Sequence, residues 1–315
     1  MSAFPPDFLS IDDVDGDQLL VLLDLADELK ADRAARVASN SSLVRRQLRG
    51  RTVAMIFEKP STRTRVSFQV GVTELGGHPL ALSSSELQLG RGETVADTGA
   101  VLSRYVHGLV VRTFAQARLD ELADGATVPV INALTDEEHP CQALADLQTV
   151  RQVFGSFDGR TLTYVGDGNN VAHSLLLAGA KVGLSVRVAH PEGYAPDAAV
   201  LARAQQLAAG TGAEASATTD VIAAVTGADV VYTDVWASMG QEGEAEARLR
   251  AFEPYRVTPE LFAHTAGGAV FLHCLPAHRG EEVSAEVIDG PASQVFDQAE
   301  NRLHAQKALL SSLLR

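Results

Sequence analysis

Residues 57–65, with the sequence FEKPSTRTR, carry side chains that suit a bound phosphate group. An apolar, β-branched run ends at Phe57 and an amphipathic stretch follows, which predicts a strand that leads into a helix. Ser61 or Thr62 can cap the unpaired backbone amides of that helix. These amides, the helix dipole and the guanidinium of Arg63 favour a phosphate, although a capped helix with surface arginines has the same pattern. The spacing is not that of a P-loop.

Other polar residues of the first half also follow apolar runs. Arg112 ends such a run, and a guanidinium there favours an anionic ligand because burying it alone is costly; an arginine that reaches the surface fits equally. His139 precedes a helical pattern and can donate to a carbonyl oxygen beside the Gln142 amide, or it can simply cap the helix. No second histidine or carboxylate stands at zinc-ligand spacing, which argues against a metal.

In the second half, residues 164–170 (YVGDGNN) have only two glycines of a dinucleotide fingerprint, with Val171 at the third position. The paired asparagines instead favour a tight turn with amides available to a polar substrate. Asp234 follows another apolar run, where a carboxylate can hold an ammonium group or cap a helix. His273 and Cys274 end the last run, and adjacent strand residues point to opposite faces, which argues against a cysteine nucleophile with a histidine base.

Strand-like runs alternate with helical patterns from residue 51 onward, which predicts parallel sheets. Strands are predicted near 52–57, 80–83, 109–113, 129–132, 161–165, 185–189, 229–233 and 269–274, with 214–217 weaker. Helices are predicted at 17–30, at 139–154 and at 298–314. The fold class is therefore α/β: two doubly wound parallel-sheet domains joined by a bridging helix and a C-terminal helix. The first domain is predicted to span residues 1–150, the second residues 151–290, and the C-terminal helix residues 291–315.

The polar residues follow strand ends, where open α/β sheets bind ligands, so one site in a cleft between two domains is expected. A net charge of −14 argues against a nucleic-acid or anionic-membrane partner. The chain shows no signal peptide and no apolar run of about 20 residues, and its two cysteines are too few for a disulfide framework. We therefore expect a cytoplasmic protein.

Four motifs, STRT at 61–64, HPCQ at 139–142, DxxxSMG at 234–240 and HCLP at 273–276, resemble those of the ornithine carbamoyltransferases, anabolic type, across essentially the whole chain. Aspartate carbamoyltransferases share the first two motifs, whereas the last two point to ornithine. The resemblance implies transfer of the carbamoyl group of carbamoyl phosphate to the δ-amine of L-ornithine, giving L-citrulline and phosphate. It implies a step of arginine biosynthesis with no metal or organic cofactor.

The resemblance also implies residue roles. It implies that carbamoyl phosphate is bound by Ser61, Thr62, Arg63, Thr64, Gln88, Arg112, His139, Pro140, Cys141, Gln142, Cys274, Leu275 and Arg302. It implies catalytic roles for Thr64, Arg112, His139 and Cys274, and an ornithine site formed by Asn170, Asp234, Ser238 and Met239. Gln88 matches a residue that the family lends to the neighbouring subunit's site, which implies a homotrimer.

Three alternatives remain at this stage. The acceptor can be putrescine, an acylated ornithine or aspartate. The glycine pair at 166 and 168 leaves a dinucleotide-dependent oxidoreductase as a different class. A non-catalytic homologue would normally have lost part of its phosphate loop, whereas this chain keeps Arg63, Arg112, His139 and Arg302. The group that deprotonates the amine is left open.

Overall fold

The computed structural model describes residues 4–83, 92–237 and 245–314. The chain divides into two compact units: unit 1 comprises Met1–Gln148 and Glu300–Arg315, and unit 2 comprises Thr149–Ala299. Each unit contains its own parallel sheet. In the described part of the chain, no helix is both long enough and apolar enough to cross a membrane.

Unit 1 is built around a four-stranded parallel sheet in the order β2-β1-β3-β4. Its strands are β1 (Thr52–Phe57), β2 (His78–Ser83), β3 (Gly108–Arg112) and β4 (Val130–Leu134). Its helices are α1 (Gly16–Ala38), α2 (Thr62–Glu74), α3 (Val95–Leu102) and α4 (Gln116–Gly125), together with most of α5 (Pro140–Phe154) and of α12 (Val295–Leu313). A 3-10 turn at Ile11–Asp13 precedes α1.

The register of the unit 1 sheet places two predicted site segments side by side. Phe57 at the end of β1 pairs with Arg112 at the end of β3. The central residues of both strands are buried and apolar, because helices cover both faces of a parallel sheet. The chain beyond Phe57 and the side chain of Arg112 therefore leave the sheet at the same level.

Unit 2 is built around a five-stranded parallel sheet in the order β7-β6-β5-β8-β9. Its strands are β5 (Thr161–Val165), β6 (Ser185–Ala189), β7 (Ala215–Thr218), β8 (Val230–Thr233) and β9 (Val270–His273). Its helices are α6 (Asn170–Val182), α7 (Ala198–Ala208), α8 (Val221–Val225), α9 (Ala245–Phe252), α10 (Pro259–Phe262) and α11 (Ala285–Ile288). Val165, Thr233 and His273 are paired in register, so the loops after β5, β8 and β9 start at one level.

The turn after β5 shows why glycine occurs there. A side chain on Gly168 would place its Cβ 2.1 Å from the backbone nitrogen of Pro196, far inside van der Waals contact. The backbone of this turn can therefore pack against the segment before α7 only without a side chain. The glycine at this position is explained by packing.

The α/β class with two parallel-sheet domains is confirmed. The predicted strands all form, with ends shifted by one or two residues. Helix α1 is longer than the predicted 17–30 because its helical pattern continues to Ala38. The compact units change at Thr149 and Glu300, and the predicted domain boundaries at 150 and 290 stay a prediction.

Candidate active site

The start of α2 is the centre of the predicted phosphate site in unit 1. Ser61 precedes the helix in an extended conformation, and its hydroxyl accepts a hydrogen bond from the Thr64 N–H at 3.3 Å. Thr62 and Arg63 form the first turn, where backbone N–H groups are left over from bonding within a helix. Arg302 donates from Nη2 to the Thr64 hydroxyl at 2.8 Å. A helix N-terminus and a buried guanidinium thus meet at Thr64.

His139 lies just before α5 and is buried close to two arginines. Burial lowers the pKa of this imidazole well below its ordinary value, and the positive charges of Arg302 and Arg112 lower it further. The ring is therefore neutral near pH 7, so one nitrogen donates and the other accepts. Such a group can donate to a carbonyl oxygen without bringing another full positive charge.

Helix α5 begins with the three remaining residues of the HPCQ motif. Pro140 is its first residue, and Cys141 is buried, with its thiol donating to the Asn132 carbonyl at 3.2 Å. Burial raises the pKa of Cys141 to about 12, so it remains a thiol. Gln142 donates from Nε2 to Asp146 at 2.8 Å, while its buried Oε1 accepts no hydrogen bond from the residues described. That oxygen is suited to accept from an NH₂ group.

Two ion pairs brace the segment between β1 and α2, and sequence reasoning missed both. Arg118 binds both carboxylate oxygens of Glu58, at 2.7 and 2.9 Å, and Thr113 donates to the same carboxylate. Lys59 pairs with Asp136. The adjacent Glu and Lys before Pro60 were the only sequence signal for these ion pairs, and the partners of both residues lie far along the chain. These contacts tie the phosphate loop to the loops after β3 and β4.

Asp234 directly follows β8 in unit 2, and its carboxylate accepts hydrogen bonds from three groups. Its Oδ1 accepts from the Val235 N–H at 2.8 Å and from the Cys274 thiol at 2.9 Å. Its Oδ2 accepts from the Asn169 amide at 3.3 Å. All three donors are neutral, so none of these contacts brings a positive charge to the carboxylate, and a cationic ligand can supply it.

The asparagine pair divides its roles between a cap and a helix position. Asn169 caps α6 by accepting from the N–H groups of Val171 and Ala172, and it also accepts from the Tyr164 hydroxyl at 3.2 Å. Asn170, the predicted ornithine ligand, is the first residue of α6. The contact of Asn169 with Asp234 was missed, although the paired asparagines had indicated available amides.

His273 and Cys274 have different hydrogen-bond partners, as the sequence predicts. Cys274 donates to Asp234, whereas His273 lies 3.1 Å from Glu282 through Nε2 and accepts from the Leu275 N–H at 2.8 Å through Nδ1. Leu275 has a left-handed backbone with φ of 58°, and its peptide bond to Pro276 is cis.

The donor atoms of Asp234, His273 and Cys274 lie within 4.8 Å of one another, which resembles part of a zinc site. Both nitrogens of His273 are, however, already engaged by protein groups. Among the residues described, this set therefore does not offer the open imidazole that a zinc ion requires.

A buried arginine joins the turn after β5 to the turn after β8. Arg248 donates to Asp167 at 2.7 Å and to the Trp236 carbonyl at 2.9 Å, with its guanidinium carbon 5.0 Å from the Tyr194 ring centroid. Burial raises the pKa of Asp167, although the charge of Arg248 opposes the rise. Sequence reasoning missed Arg248, which has no motif of its own.

The structure thus gathers Ser61, Thr64, Arg112, His139 and Arg302 in unit 1, with Thr62, Arg63, Pro140, Cys141 and Gln142 on the same helix starts. It gathers Asn169, Asp234 and Cys274 in unit 2. Asn170 follows Asn169 in the chain, and Leu275 follows Cys274. Gln88, Ser238 and Met239 lie outside the described residues.

Two family models match the chain. The carbamoyl-P binding domain of aspartate/ornithine carbamoyltransferase matches residues 6–152, and the Asp/Orn binding domain matches residues 158–313. The ornithine carbamoyltransferase of Parafrankia sp. (strain EAN1pec) is 60% identical over 307 residues, covering 98% of this chain and 95% of the relative. That of Symbiobacterium thermophilum is 56% identical over 308 residues, covering 98% and 97%.

Solved structures of ornithine carbamoyltransferases also resemble this chain over its whole length. Ornithine carbamoyltransferase from Pyrococcus furiosus superimposes with a TM-score of 0.93 at 51% identity, covering 99% of this chain and 97% of that one. The enzyme from Gloeobacter violaceus has a TM-score of 0.88 at 51% identity and covers both chains fully. With both domain models matched in order and these relatives aligned over nearly their whole lengths, the chain belongs to the aspartate/ornithine carbamoyltransferase family.

Proposed function

We propose that this protein transfers the carbamoyl group of carbamoyl phosphate to the δ-amine of L-ornithine, giving L-citrulline and phosphate. The observation that carries the proposal is the neutral, buried His139 beside Arg112 and Arg302, together with the hydrogen bond from Arg302 to Thr64 at the start of α2. Phosphate binding needs cations and free N–H groups, while a carbamoyl oxygen needs a donor. The names of the most similar relatives support ornithine as the acceptor.

The phosphate of carbamoyl phosphate binds the amides and side chains of the first turn of α2. Ser61, Thr62 and Arg63 supply this cradle, and Arg302 adds a second guanidinium. Arg112 bridges the phosphate and the carbonyl oxygen. The helix dipole and two or more guanidiniums balance a phosphate that gains charge as it leaves.

The carbonyl oxygen is held by Thr64, Arg112 and His139, which act as an oxyanion hole. Loss of one such donor typically costs on the order of 10²–10³ in turnover. The carbamoyl NH₂ group donates to the free Oε1 of Gln142 and to the backbone at Cys274 and Leu275. Pro140 and Cys141 form the start of α5 and complete this part of the carbamoyl-phosphate site. Gln88 also belongs to the carbamoyl-phosphate site.

Ornithine is held through its amino-acid head by Asp234 and Asn170, together with Ser238 and Met239. The neutral donors around Asp234 support this role, because they leave its charge for the substrate ammonium. Cys274 lies 2.9 Å from Asp234 and so stands next to the bound amine.

In the reaction the neutral δ-amine attacks the carbonyl carbon and a C–N bond forms. The tetrahedral intermediate then collapses as the bond between carbon and the phosphate oxygen breaks, and phosphate leaves with that electron pair. The amine nitrogen becomes cationic as it attacks and loses one proton, which is released to solvent. Because a primary amine has a reference pKa of roughly 10.4, we expect activity to rise into the alkaline range.

We further propose a homotrimer in which Gln88 reaches the neighbouring subunit's site, acting in the cytoplasm in arginine biosynthesis. Residues 1–150 form the carbamoyl-phosphate domain, 151–290 the ornithine domain, and 291–315 the helix that returns to the first. Exposed apolar side chains of unit 1, namely Val66, Leu80, Tyr105 and Phe114, support a subunit contact. Light scattering on the purified protein tests this, and a mass of one chain would contradict it.

The function is tested by measuring citrulline formation from carbamoyl phosphate and L-ornithine, beside parallel assays with putrescine, acetylornithine and aspartate. We expect turnover with ornithine alone. Turnover with a different amine would keep the phosphate site and replace the acceptor. No product with any of the four would reject the transferase function.

A further inference from the structure

We propose that His273 and Glu282 are a positioning pair that sets the backbone of Leu275, and with it the carbamoyl-binding edge of the site. The inference rests on the proposed function for its kinetic readout only. Neither side chain belongs to the set expected to touch substrate, and both are fully buried in unit 2.

The hydrogen bonds fix the tautomer of the histidine. The Leu275 N–H donates to Nδ1 of His273 at 2.8 Å, so Nδ1 carries the lone pair. The ring proton therefore resides on Nε2, which donates to Oε1 of Glu282 at 3.1 Å. A carboxylate behind a histidine is the usual device by which proteins hold an imidazole in one tautomer and one orientation.

Glu282 is in turn held by the loop that follows the site. Its Oε1 also accepts from the backbone N–H of His278 at 2.6 Å. One buried oxygen therefore joins the end of β9, through His273, to the backbone at His278, three residues beyond Leu275. Glu282 is an anchor that keeps the imidazole from rotating away from the Leu275 amide.

Leu275 needs such support because its backbone is in the left-handed region, with φ of 58°. A residue with a branched side chain adopts this conformation only when its surroundings over-determine it. The acceptor at Nδ1 supplies one such restraint, and it does so from only two residues away along the chain. Without an acceptor, the Leu275 N–H would favour a different orientation of its peptide group.

The position of this restraint connects it to catalysis. Cys274 lies between the two residues that the hydrogen bond joins, and its thiol donates to Asp234 at 2.9 Å. The backbone at Cys274 and Leu275 is the part proposed to bind the carbamoyl NH₂ group. Loss of the His273 acceptor should therefore raise the KM for carbamoyl phosphate and lower kcat, with less effect on the KM for ornithine.

Two substitutions separate the two nitrogens of the ring. In His273→Asn, the side-chain oxygen can take the place of Nδ1 and accept from the Leu275 N–H. In His273→Gln, the longer amide can reach Glu282 but is not placed to accept from Leu275. His273→Leu removes both contacts, and His264→Asn is a matched control at an exposed histidine of the same unit.

We expect His273→Leu to lower kcat/KM for carbamoyl phosphate by about 10- to 100-fold, the usual effect of leaving a buried donor unpaired. His273→Asn should recover most of this loss, whereas His273→Gln should recover little, at equal melting temperatures for the two amides. Equal impairment of the Asn and Gln variants, or full activity of His273→Leu, would overturn the proposal.

A second measurement can be made on the wild-type protein without following catalytic turnover. Nitrogen-15 NMR of the histidine rings in the full-length wild-type protein should show His273 as the neutral Nε2–H tautomer, with His273→Asn identifying its signal by loss. An Nδ1–H tautomer would overturn the proposal. If the wild-type protein makes no citrulline, the proposed function fails while this tautomer test still decides on the pair.

Discussion

The candidate sites of the two units have opposite electrostatic character. In unit 1 burial lowers the pKa of His139 most, and the positive charges of Arg302 and Arg112 lower it further. In unit 2 burial raises the pKa of Tyr164 most, and the nearby Asp234, Cys274 and Asp167 raise it further. Unit 1 is thus suited to an anion and unit 2 to a cation.

The difference shows how a chain with a net charge of −14 can still bind an acyl phosphate. The attraction is local: two arginines and one helix start are gathered at a single point, inside a low-dielectric environment that strengthens their effect. The negative character of unit 2 follows the overall charge and needs only one carboxylate among neutral donors. The charges of the two proposed substrates differ in the same way, since an acyl phosphate is an anion and ornithine carries a net positive charge.

The largest expected effect comes from breaking the positive site. Arg112→Ala should lower kcat by on the order of 10²–10³, because it removes a donor to both the phosphate and the developing oxyanion. Steady-state citrulline assays measure this. Arg104→Ala, which removes an exposed arginine of the same unit, is the control and should behave as wild type. Near-normal turnover of Arg112→Ala would contradict the assignment.

Breaking the negative site should have a smaller and more selective effect. Asp234→Asn keeps the size of the side chain but removes its charge, so kcat/KM for ornithine should fall roughly 10- to 100-fold. The KM for carbamoyl phosphate should change little. Asp220→Asn is the matched control, since Asp220 only caps α8 and asparagine caps a helix equally well. An equal loss for both substrates would show that Asp234 does not distinguish them.

Ligand protection sharpens the comparison without turnover. Inorganic phosphate at tenfold its Kd should stabilise the protein by about 1.4 kcal/mol, which raises the melting temperature by roughly 2–4 °C. Arg63→Ala should lose this shift, while Arg65→Ala, which lies on the exposed side of the same helix turn, should retain it. A shift that survives in Arg63→Ala would place the anion elsewhere.

The smallest expected effect is the pH dependence of stability that the buried histidines of unit 1 confer. His139 has a lowered pKa, and the pKa of His304 is lowered to about 4, chiefly by burial. As pH falls below about 6.5, the unfolded chain takes up these protons first, so stability is lost with falling pH. His304→Gln should reduce the slope between pH 6 and 5 by up to about 1.4 kcal/mol per pH unit.

Urea unfolding at several pH values measures this slope. His264→Gln, at an exposed histidine of unit 2, serves as the control and should leave the slope unchanged. A His304→Gln variant with the wild-type slope would show that the buried ring does not resist protonation.

Local chemistry made part of the site predictable from sequence. Ser61 and Thr64 follow from the capping pattern at a strand-to-helix junction, and Arg112 and Asp234 follow from polar residues at the ends of apolar runs. These positions depend on neighbours within a few residues. The α/β class was predictable for the same reason, since each strand and helix carries its own periodicity.

The remainder depends on partners that only the fold brings together. The lowered pKa of His139 comes from its burial and from the charges of Arg302 and Arg112, which are distant in sequence, and the Arg248–Asp167 pair joins two loops with no shared motif. The choice of Asn169 over Asn170 as the residue that contacts Asp234 depends on which asparagine caps α6. Capping propensity is the same for both residues, so the sequence alone cannot decide between them.

The composition of unit 1 also has a consequence for biosynthesis. Helix α12 supplies Arg302 to Thr64 and a buried Lys307 to Glu74, yet these residues are translated only after unit 2. More than 150 residues separate Gln148 from the end of the chain, which at usual elongation rates takes on the order of ten to thirty seconds. The nascent first unit must therefore wait, with Glu74 lacking that partner, until the ribosome has finished the second. A stalled or truncated product would carry an incomplete phosphate site, so a full-length chain is the first condition for activity.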